Sequence, residues 1–170
     1  MIAIGIDPGF DGGLAILEDG LIAVYDLPTL TVEGAIKDHR EYDLRALVAL
    51  LRPYVDRDVM VAIEYVRGIP RRPGLAGQQG ASSIWRQGYG VGVIEGCVAG
   101  LGFAWERVAP QRWRKALAIP GGADAKEASR LIAIQRFPAV ADQLARKKDH
   151  GRAEALLLAA YLRQWAKGLV

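Results

Sequence analysis

The first seven residues constrain the fold more than any other segment of the chain. In Met1–Asp7, three isoleucines alternate with Ala3, Gly5 and Asp7, which is the two-residue period of a β-strand. Asp7 therefore shares one face of the strand with two very small side chains, and Pro8-Gly9 then ends the strand. A carboxylate in such a place is poorly hydrated, so it needs a cation, a hydrogen-bond network or a raised pKa.

A second acid, Glu64, ends another strand. Val59–Ile63 is a continuous apolar run, which is typical of a central strand buried on both faces. A divalent metal would satisfy both acids. Two other interpretations stay open, since Asp7 can cap the turn that follows it and Glu64 can pair with Arg67.

A third acidic cluster lies at the start of a helix that we predict from about Gly151 to Lys167. His150 and Glu154 are four residues apart and share a helix face, and Glu154 begins a long apolar run. Asp149 joins that face only if the helix begins as late as predicted. Acids at a helix start also complement the helix dipole, which explains Asp149 better than Glu154.

Periodicity along the rest of the chain predicts an α/β fold. Gly12–Glu18 and Leu21–Tyr25 are strand candidates joined by an Asp-Gly hairpin signal, so the first three strands form an antiparallel meander. The further predicted elements are a helix at Glu41–Asp56, a strand at Val59–Ile63, a loop at Tyr65–Gln87, a helix at Gly88–Gly102, a strand at Phe103–Val108, and helices near Ala125–Phe137 and Gly151–Lys167. This order predicts one domain over residues 1–170, with helices on the faces of a sheet.

Positive charge is concentrated in one interval. The chain has a net charge of +3, yet no acidic residue occurs between Glu64 and Glu95. Trp85 and Tyr89 lie among the arginines of that interval, which are Arg67, Arg71, Arg72 and Arg86. Arginines interleaved with aromatic residues suit nucleic acid, because phosphates release counterions and bases stack. A solvated loop is the alternative interpretation.

Other features exclude several classes of protein. The single cysteine, Cys97, rules out an internal disulfide framework. The longest apolar runs are far shorter than the roughly 20 residues of a membrane-spanning helix. The first residues match a strand and no secretory signal. We therefore expect a cytoplasmic protein, in a bacterial or phage-infected cell, without a membrane partner.

Five segments in order resemble the RuvC-type Holliday junction resolvases, especially the compact phage-like branch of this ribonuclease H-like superfamily. They are Gly5–Gly9, Ile63-Glu64, Gln87–Gly90 with Gly96, Val108–Pro110 followed by Trp113–Lys115 and Ala125-Lys126, and Lys148–Leu156. The resemblance covers nearly the whole chain. Each segment alone is weak, but five in order at suitable spacing are specific.

The resemblance implies a five-stranded mixed sheet whose first three strands are antiparallel and whose fourth strand, with Glu64, lies beside the strand of Asp7. Asp7, Glu64, Glu154 and either Asp149 or His150 then form the catalytic site. Such carboxylates hold two Mg²⁺ ions, for which Mn²⁺ substitutes, and the site hydrolyses phosphodiester bonds. Many family members carry two adjacent acids where this chain has Asp149-His150. We predict Asp149 as the metal ligand and His150 as a further catalytic residue.

The resemblance also implies a homodimer that resolves branched DNA, because a symmetric dimer can cut two opposed strands of a four-way junction. The biological task is then recombination, repair or debranching of phage DNA. The predicted DNA contacts are Arg67, Arg71, Arg72, Trp85, Arg86, Arg114, Lys115, Lys126 and Arg152. Trp113 is interpreted as a core aromatic residue.

Two other functions remain open. Gly5–Gly9 also resembles the phosphate-binding turn of actin-like ATPases and sugar kinases. Those proteins need two such domains, and 170 residues have room for one. The second alternative is a junction-binding protein without nuclease activity, which the histidine at position 150 keeps open.

Overall fold

The structure is a computed structural model that describes residues 1–34, 38–65, 81–122 and 124–169, with 81–84, 86 and 87 described by backbone alone. The strands are β1 (Ile2–Asp7), β2 (Gly13–Glu18), β3 (Leu21–Asp26), β4 (Thr29–Val32), β5 (His39–Tyr42), β6 (Val59–Glu64) and β7 (Ala104–Val108). The α-helices are α1 (Leu44–Leu51), α2 (Ala81–Gly100), α3 (Pro110–Ala116), α4 (Ala125–Arg136) and α5 (His150–Ala166). Short 3₁₀ helices span Arg52–Tyr54, Pro138–Leu144 and Lys147–Asp149.

Five strands form one mixed sheet in the order β3-β2-β1-β6-β7. The pairs β1–β2 and β2–β3 are antiparallel, whereas β1–β6 and β6–β7 are parallel. This arrangement confirms the predicted mixed sheet, with the strand of Glu64 beside the strand of Asp7. Ile6 and Ile63 are partners in the β1–β6 register, so the two acids occupy neighbouring positions where both strands end.

The sheet separates two hydrophobic cores. The isoleucines of β1 face one core, where they pack with Leu47 of α1 and Ile94 of α2. Ala3 faces the other core, which α5 fills with buried leucines and alanines. The alternation in β1 thus places its small residues and Asp7 on the side of α5.

Helix α5 lies unusually close to β1 and β2 because glycines face it. A Cβ atom at Gly5 would lie 2.1 Å from the carbonyl oxygen of Ala155, and one at Gly13 would lie 2.6 Å from the backbone nitrogen of Arg152. Side chains at these positions would push the helix away from the sheet. The glycines therefore set the distance at which α5 presents Glu154 to the ends of β1 and β6.

The structure corrects several predicted boundaries. Glu41 and Tyr42 belong to a small hairpin, β4–β5, that the sequence analysis missed, and α1 begins only at Leu44. The side chain of Asp43 caps α1 by accepting a hydrogen bond from the backbone N–H of Ala46 (3.0 Å). The hairpin escaped prediction because its strands are half-exposed and only four residues long, and β5 carries no apolar alternation.

Two further boundaries differ. Helix α2 begins at Ala81, so residues 81–87 of the predicted loop are helical, whereas residues 66–80 lie outside the described residues. The basic segment after Val108 is a helix, α3, with Pro110 at its first position, where a missing N–H costs nothing. No helix in the described ranges is long and apolar enough to cross a membrane.

We expect Gly5→Ala to destabilise the protein by about 1–3 kcal/mol, since the new methyl group would overlap the backbone of α5. Gly96→Ala is the matched control, because a Cβ there meets nothing within 4 Å and alanine favours a helix. Urea unfolding of both variants checks this, and equal stability of the two would refute the close-packing argument.

Candidate active site

Two carboxylates, the buried Glu64 and the partly buried Asp7, lie side by side at the ends of β6 and β1. Burial, and next the negative charge of Glu154, raise the pKa of Asp7 to about 6. Burial, and next the charges of Asp7 and Glu154, raise the pKa of Glu64 to about 7. The two acids and Glu154 thus repel one another in a poorly hydrated place, and their ionised forms are costly there.

Each of the two acids also has a hydrogen-bond donor. The backbone N–H of Gly9 donates to Asp7, so the turn-capping interpretation of this residue holds alongside its role in the cluster. The indole Nε1–H of Trp113 donates to Oε1 of Glu64 at 3.0 Å, and Trp113 is fully buried. The prediction of Trp113 as a core residue is confirmed, and its indole also orients an acid, which the sequence analysis did not foresee.

Glu154 reaches the cluster from α5 and has a cationic partner. Nη2 of Arg114 donates to its Oε1 at 2.5 Å, and the hydroxyl of Ser129 donates to the same oxygen at 3.4 Å. Arg114 was predicted to contact DNA, and here it neutralises an acid of the site. No sequence pattern marks Ser129, which only the packing of α4 on α5 brings to Glu154.

Asp149 is hydrogen-bonded to Arg146, just before α5 begins. It is buried, and it accepts hydrogen bonds from the backbone N–H of Arg146 (2.8 Å) and from Nη2 of the same residue (2.8 Å). Burial acts to raise the pKa of Asp149, but the bonds from Arg146 hold it below its usual value. The structure therefore brings Glu154 to Asp7 and Glu64 and leaves Asp149 anchoring the start of α5.

His150 lies near Asp7 and is hydrogen-bonded to Lys126. Its Nδ1 is 3.2 Å from the carbonyl oxygen of Lys147, and its Nε2 is 3.1 Å from Nζ of Lys126. A carbonyl only accepts and an ammonium only donates, so a neutral ring with the proton on Nδ1 satisfies both contacts. The positive charge of Lys126 opposes the rise in the pKa of Asp7, and the ring of His150 does so when it is protonated.

The predicted DNA contacts divide into three groups. Arg67, Arg71 and Arg72 lie outside the described residues, and Arg86 is described by its backbone alone. Arg152 is engaged with Asp26 through bonds of 2.6 and 2.5 Å, as Arg114 is with Glu154. The exposed members are Lys115, Lys126 and Trp85.

A metal site is not assembled in this conformation. Within residues 1–34, 38–65, 81–122 and 124–169, no three side chains of His, Cys, Asp or Glu are close enough to hold a metal ion. Glu154 is bound to Arg114 and Asp149 to Arg146, and no ion pair found in these ranges includes Asp7 or Glu64. The donor set of the cluster is nonetheless all carboxylate oxygen, which suits hard divalent cations.

The raised pKa values predict a pH dependence. Between about pH 4 and 7 the folded state holds protons on Asp7 and Glu64 that the unfolded chain has lost. Stability therefore falls as pH rises through this window, by up to about 3 kcal/mol for Glu64. We expect metal-free protein to melt at a lower temperature at pH 8 than at pH 5.

Glu64→Gln is the matched variant for this measurement, because it removes the ionisable group and keeps an acceptor for Trp113. Its melting temperature should fall less between pH 5 and pH 8 than that of the wild type, and Mg²⁺ should raise the wild-type value at pH 8. The same pH dependence in both proteins would contradict the assignment.

The comparisons with known proteins agree with this architecture. No family model matches the chain. The chain is 35% identical over 123 residues, 72% of its length, to the chloroplastic Holliday junction resolvase MOC1 of Chlamydomonas reinhardtii. The chain spans only 13% of the length of that relative.

Solved structures cover almost the whole chain. Thermus thermophilus RuvC in complex with a Holliday junction substrate matches with a TM-score of 0.60 and 16% identity, over 99% of this chain and 96% of that one. Another Thermus thermophilus RuvC structure matches with a TM-score of 0.55 and 20% identity over the same shares. The chain is therefore of the RuvC type in its fold, and its sequence is similar to that of a Holliday junction resolvase.

Proposed function

We propose that the chain is an endodeoxyribonuclease that resolves four-way junctions and other branched DNA by metal-dependent hydrolysis. The observation that carries the proposal is the placement of Asp7 and Glu64 on adjacent parallel strands, with Glu154 close enough to raise both pKa values. Similarity to a named junction resolvase and to RuvC bound to a junction supports the substrate class.

The acids of the cluster repel one another when they are ionised, and a divalent metal ion would stabilise their ionised forms. Two carboxyls with pKa values of about 6 and 7 are stabilised by any cation that enters between them. Asp7, Glu64 and Glu154 would hold Mg²⁺ or Mn²⁺, as two ions in the proposed mechanism, and Asp149 would join only after leaving Arg146. Bound metal supplies charge stabilisation at the scissile phosphate and activation of the attacking water.

Cationic side chains around the acids have roles in binding and proton transfer. Arg114 is bound to Glu154, so a DNA phosphate that attracts Arg114 would release this carboxylate. Lys126 is exposed and donates to Nε2 of His150. When Lys126 turns to a phosphate, Nε2 is free to accept a proton. The proposed order is therefore substrate contact first and completion of the site second.

We also propose a homodimer, because two opposed strands of a junction need two sites. Its candidate interfaces are the apolar helical segments near Val91–Leu101 and Leu44–Val55. We further propose that the protein acts on branched DNA in the cytoplasm of a bacterial or phage-infected cell.

One observation favours a second candidate function. Arg114 and Arg146 neutralise two of the predicted metal ligands, Glu154 and Asp149. A chain in which these ion pairs persist on DNA would bind junctions without cutting them. The assays below separate the two functions.

Wild-type protein should cut a four-way junction in Mg²⁺ and lose activity when the metal is chelated. Asp7→Asn should reduce the cleavage rate by more than the roughly 10- to 100-fold typical of changes outside the ligand sphere, while junction binding persists. Cleavage by Asp7→Asn at the wild-type rate would refute the site, and binding without cutting by the wild type would favour the second candidate.

Glu154→Gln and Asp149→Asn distinguish the two acids of the α5 region. Glu154→Gln should abolish cleavage with little net change in stability, because the relief of repulsion with Asp7 and Glu64 offsets the weaker bond to Arg114. Asp149→Asn should cost about 1–3 kcal/mol of stability through its bonds to Arg146 and keep most of the activity in folded protein. Loss of metal affinity in folded Asp149→Asn would restore Asp149 as a ligand.

A further inference from the structure

A cleft of about 860 Å³ opens beside the turn that follows Asp7. Its lining comes from Phe10 in that turn, from the hairpin β4–β5 and from the first half of α2. Four aromatic side chains contribute to it, namely Phe10, Tyr42, Trp85 and Tyr89. Its volume lies within the roughly 300–1,000 Å³ of small-molecule sites and is sufficient for a nucleotide.

The first aromatic pair is fixed by the fold. The rings of Phe10 and Tyr42 stack with centroids 4.7 Å apart, and the Tyr42 hydroxyl donates to the carbonyl oxygen of Pro8 at 2.8 Å. A Cβ atom at Gly90 would lie 2.4 Å from the Tyr42 ring, so a glycine of α2 admits the ring. The guanidinium of Arg40 lies 5.5 Å from the Phe10 centroid.

The second pair is displayed on the surface of α2. Trp85 and Tyr89 are one helical turn apart, and their rings stack with centroids 5.3 Å apart and planes within 9°. Trp85 is 67% exposed and Tyr89 56% exposed. Two large aromatic rings held parallel and in contact with water offer flat apolar area that a planar ligand would bury.

The charges of the cleft favour a base over a phosphate. Asp38 and Glu41 offset the positive charge of Arg40 in the lining, and Nη1 of Arg40 already donates to Asp11 at 2.7 Å. A nearly neutral lining with aromatic faces does not attract a polyanion by itself. It suits a nucleobase, which every aromatic face can stack on.

The cleft adjoins the candidate active site. Tyr42 bonds to Pro8, the residue after Asp7, and burial followed by the charge of Asp7 raises the pKa of Tyr42 to about 12. An occupant of the cleft therefore lies next to the turn that follows Asp7. A base in the cleft and its phosphate at the acids can belong to one nucleotide step.

We propose that this cleft binds one unpaired nucleobase of the substrate strand, adjacent to the phosphate that the carboxylates attack. The proposal rests on the proposed nuclease function and deepens it. Bases at a branch point are more easily unstacked than those within a duplex, and stacking in the cleft compensates the cost of opening. The cleft would thus select branched over continuous DNA.

Photo-cross-linking tests the proposal directly. Asp7→Asn protein is bound to a four-way junction carrying a single 5-iodouracil, moved in turn through the positions of one strand, and irradiated at long wavelength. We expect cross-links to the cleft aromatics only from a position next to the cleavage site. Phe10→Leu and Tyr89→Leu should weaken junction binding at least about fivefold.

Two control variants accompany these. Trp165→Leu removes an exposed tryptophan at the other end of α5, and it should change neither the cross-links nor the affinity. Tyr42→Phe keeps the aromatic face and should keep the cross-links. Equal loss in Trp165→Leu would show that any exposed aromatic residue acts in this way and would overturn the proposal.

Other outcomes also overturn it. Cross-links that arise equally from all duplex positions, or that avoid the cleft, would reject a base site. Dissociation of a dimer by Tyr89→Leu would assign the Trp85–Tyr89 pair to contact between copies of the chain. If wild-type protein cuts the junction but no cross-link reaches the cleft, only the base site fails. If wild-type protein does not cut, the nuclease function fails independently of the cross-links.

Discussion

The close packing of α5 against β1 and β2 is the contact on which the candidate site depends. Gly5 and Gly13 have no side chains, so the backbone of α5 occupies the space that a Cβ atom at either position would need. Glu154 is therefore carried to the ends of β1 and β6, where Asp7 and Glu64 already lie together. One packing constraint thus joins acids from three separate segments in a place where water hydrates them poorly.

Electrostatic repulsion is the consequence of that constraint, and the surrounding residues relieve only part of it. Trp113 donates a hydrogen bond to Glu64, and Arg114 neutralises Glu154, but burial and mutual charge still raise two pKa values. Such a cluster lowers the stability of the folded protein at neutral pH. This loss of stability is consistent with a site that binds a cation when it functions.

Sequence reasoning selected the three acids that the structure brings together, but it missed several of the residues around them. Asp7, Glu64 and Glu154 were recognisable because each breaks an apolar pattern at the end of an element. Asp149 was predicted as a ligand because many members of the similar family carry two adjacent acids where this chain has Asp149-His150. In the structure it lies in a short 3₁₀ helix and accepts hydrogen bonds from Arg146. The cleft beside the acids was missed because Phe10, Tyr42 and Trp85 come from three segments, and no local pattern joins them.

The sequence by itself determined the α/β architecture and the small-residue face of β1, since periodicity and residue size are local properties. The pairing of Asp7 with Glu64 was predicted only from the resemblance to the RuvC-type resolvases, because the neighbours of a strand in a sheet are not a local property. Only the tertiary structure decided which acid of the α5 region reaches that pair and which cations neutralise its neighbours. It also decided where exposed aromatic residues meet. These outcomes depend on the distance and rotation between elements, which arise from packing over the whole sheet.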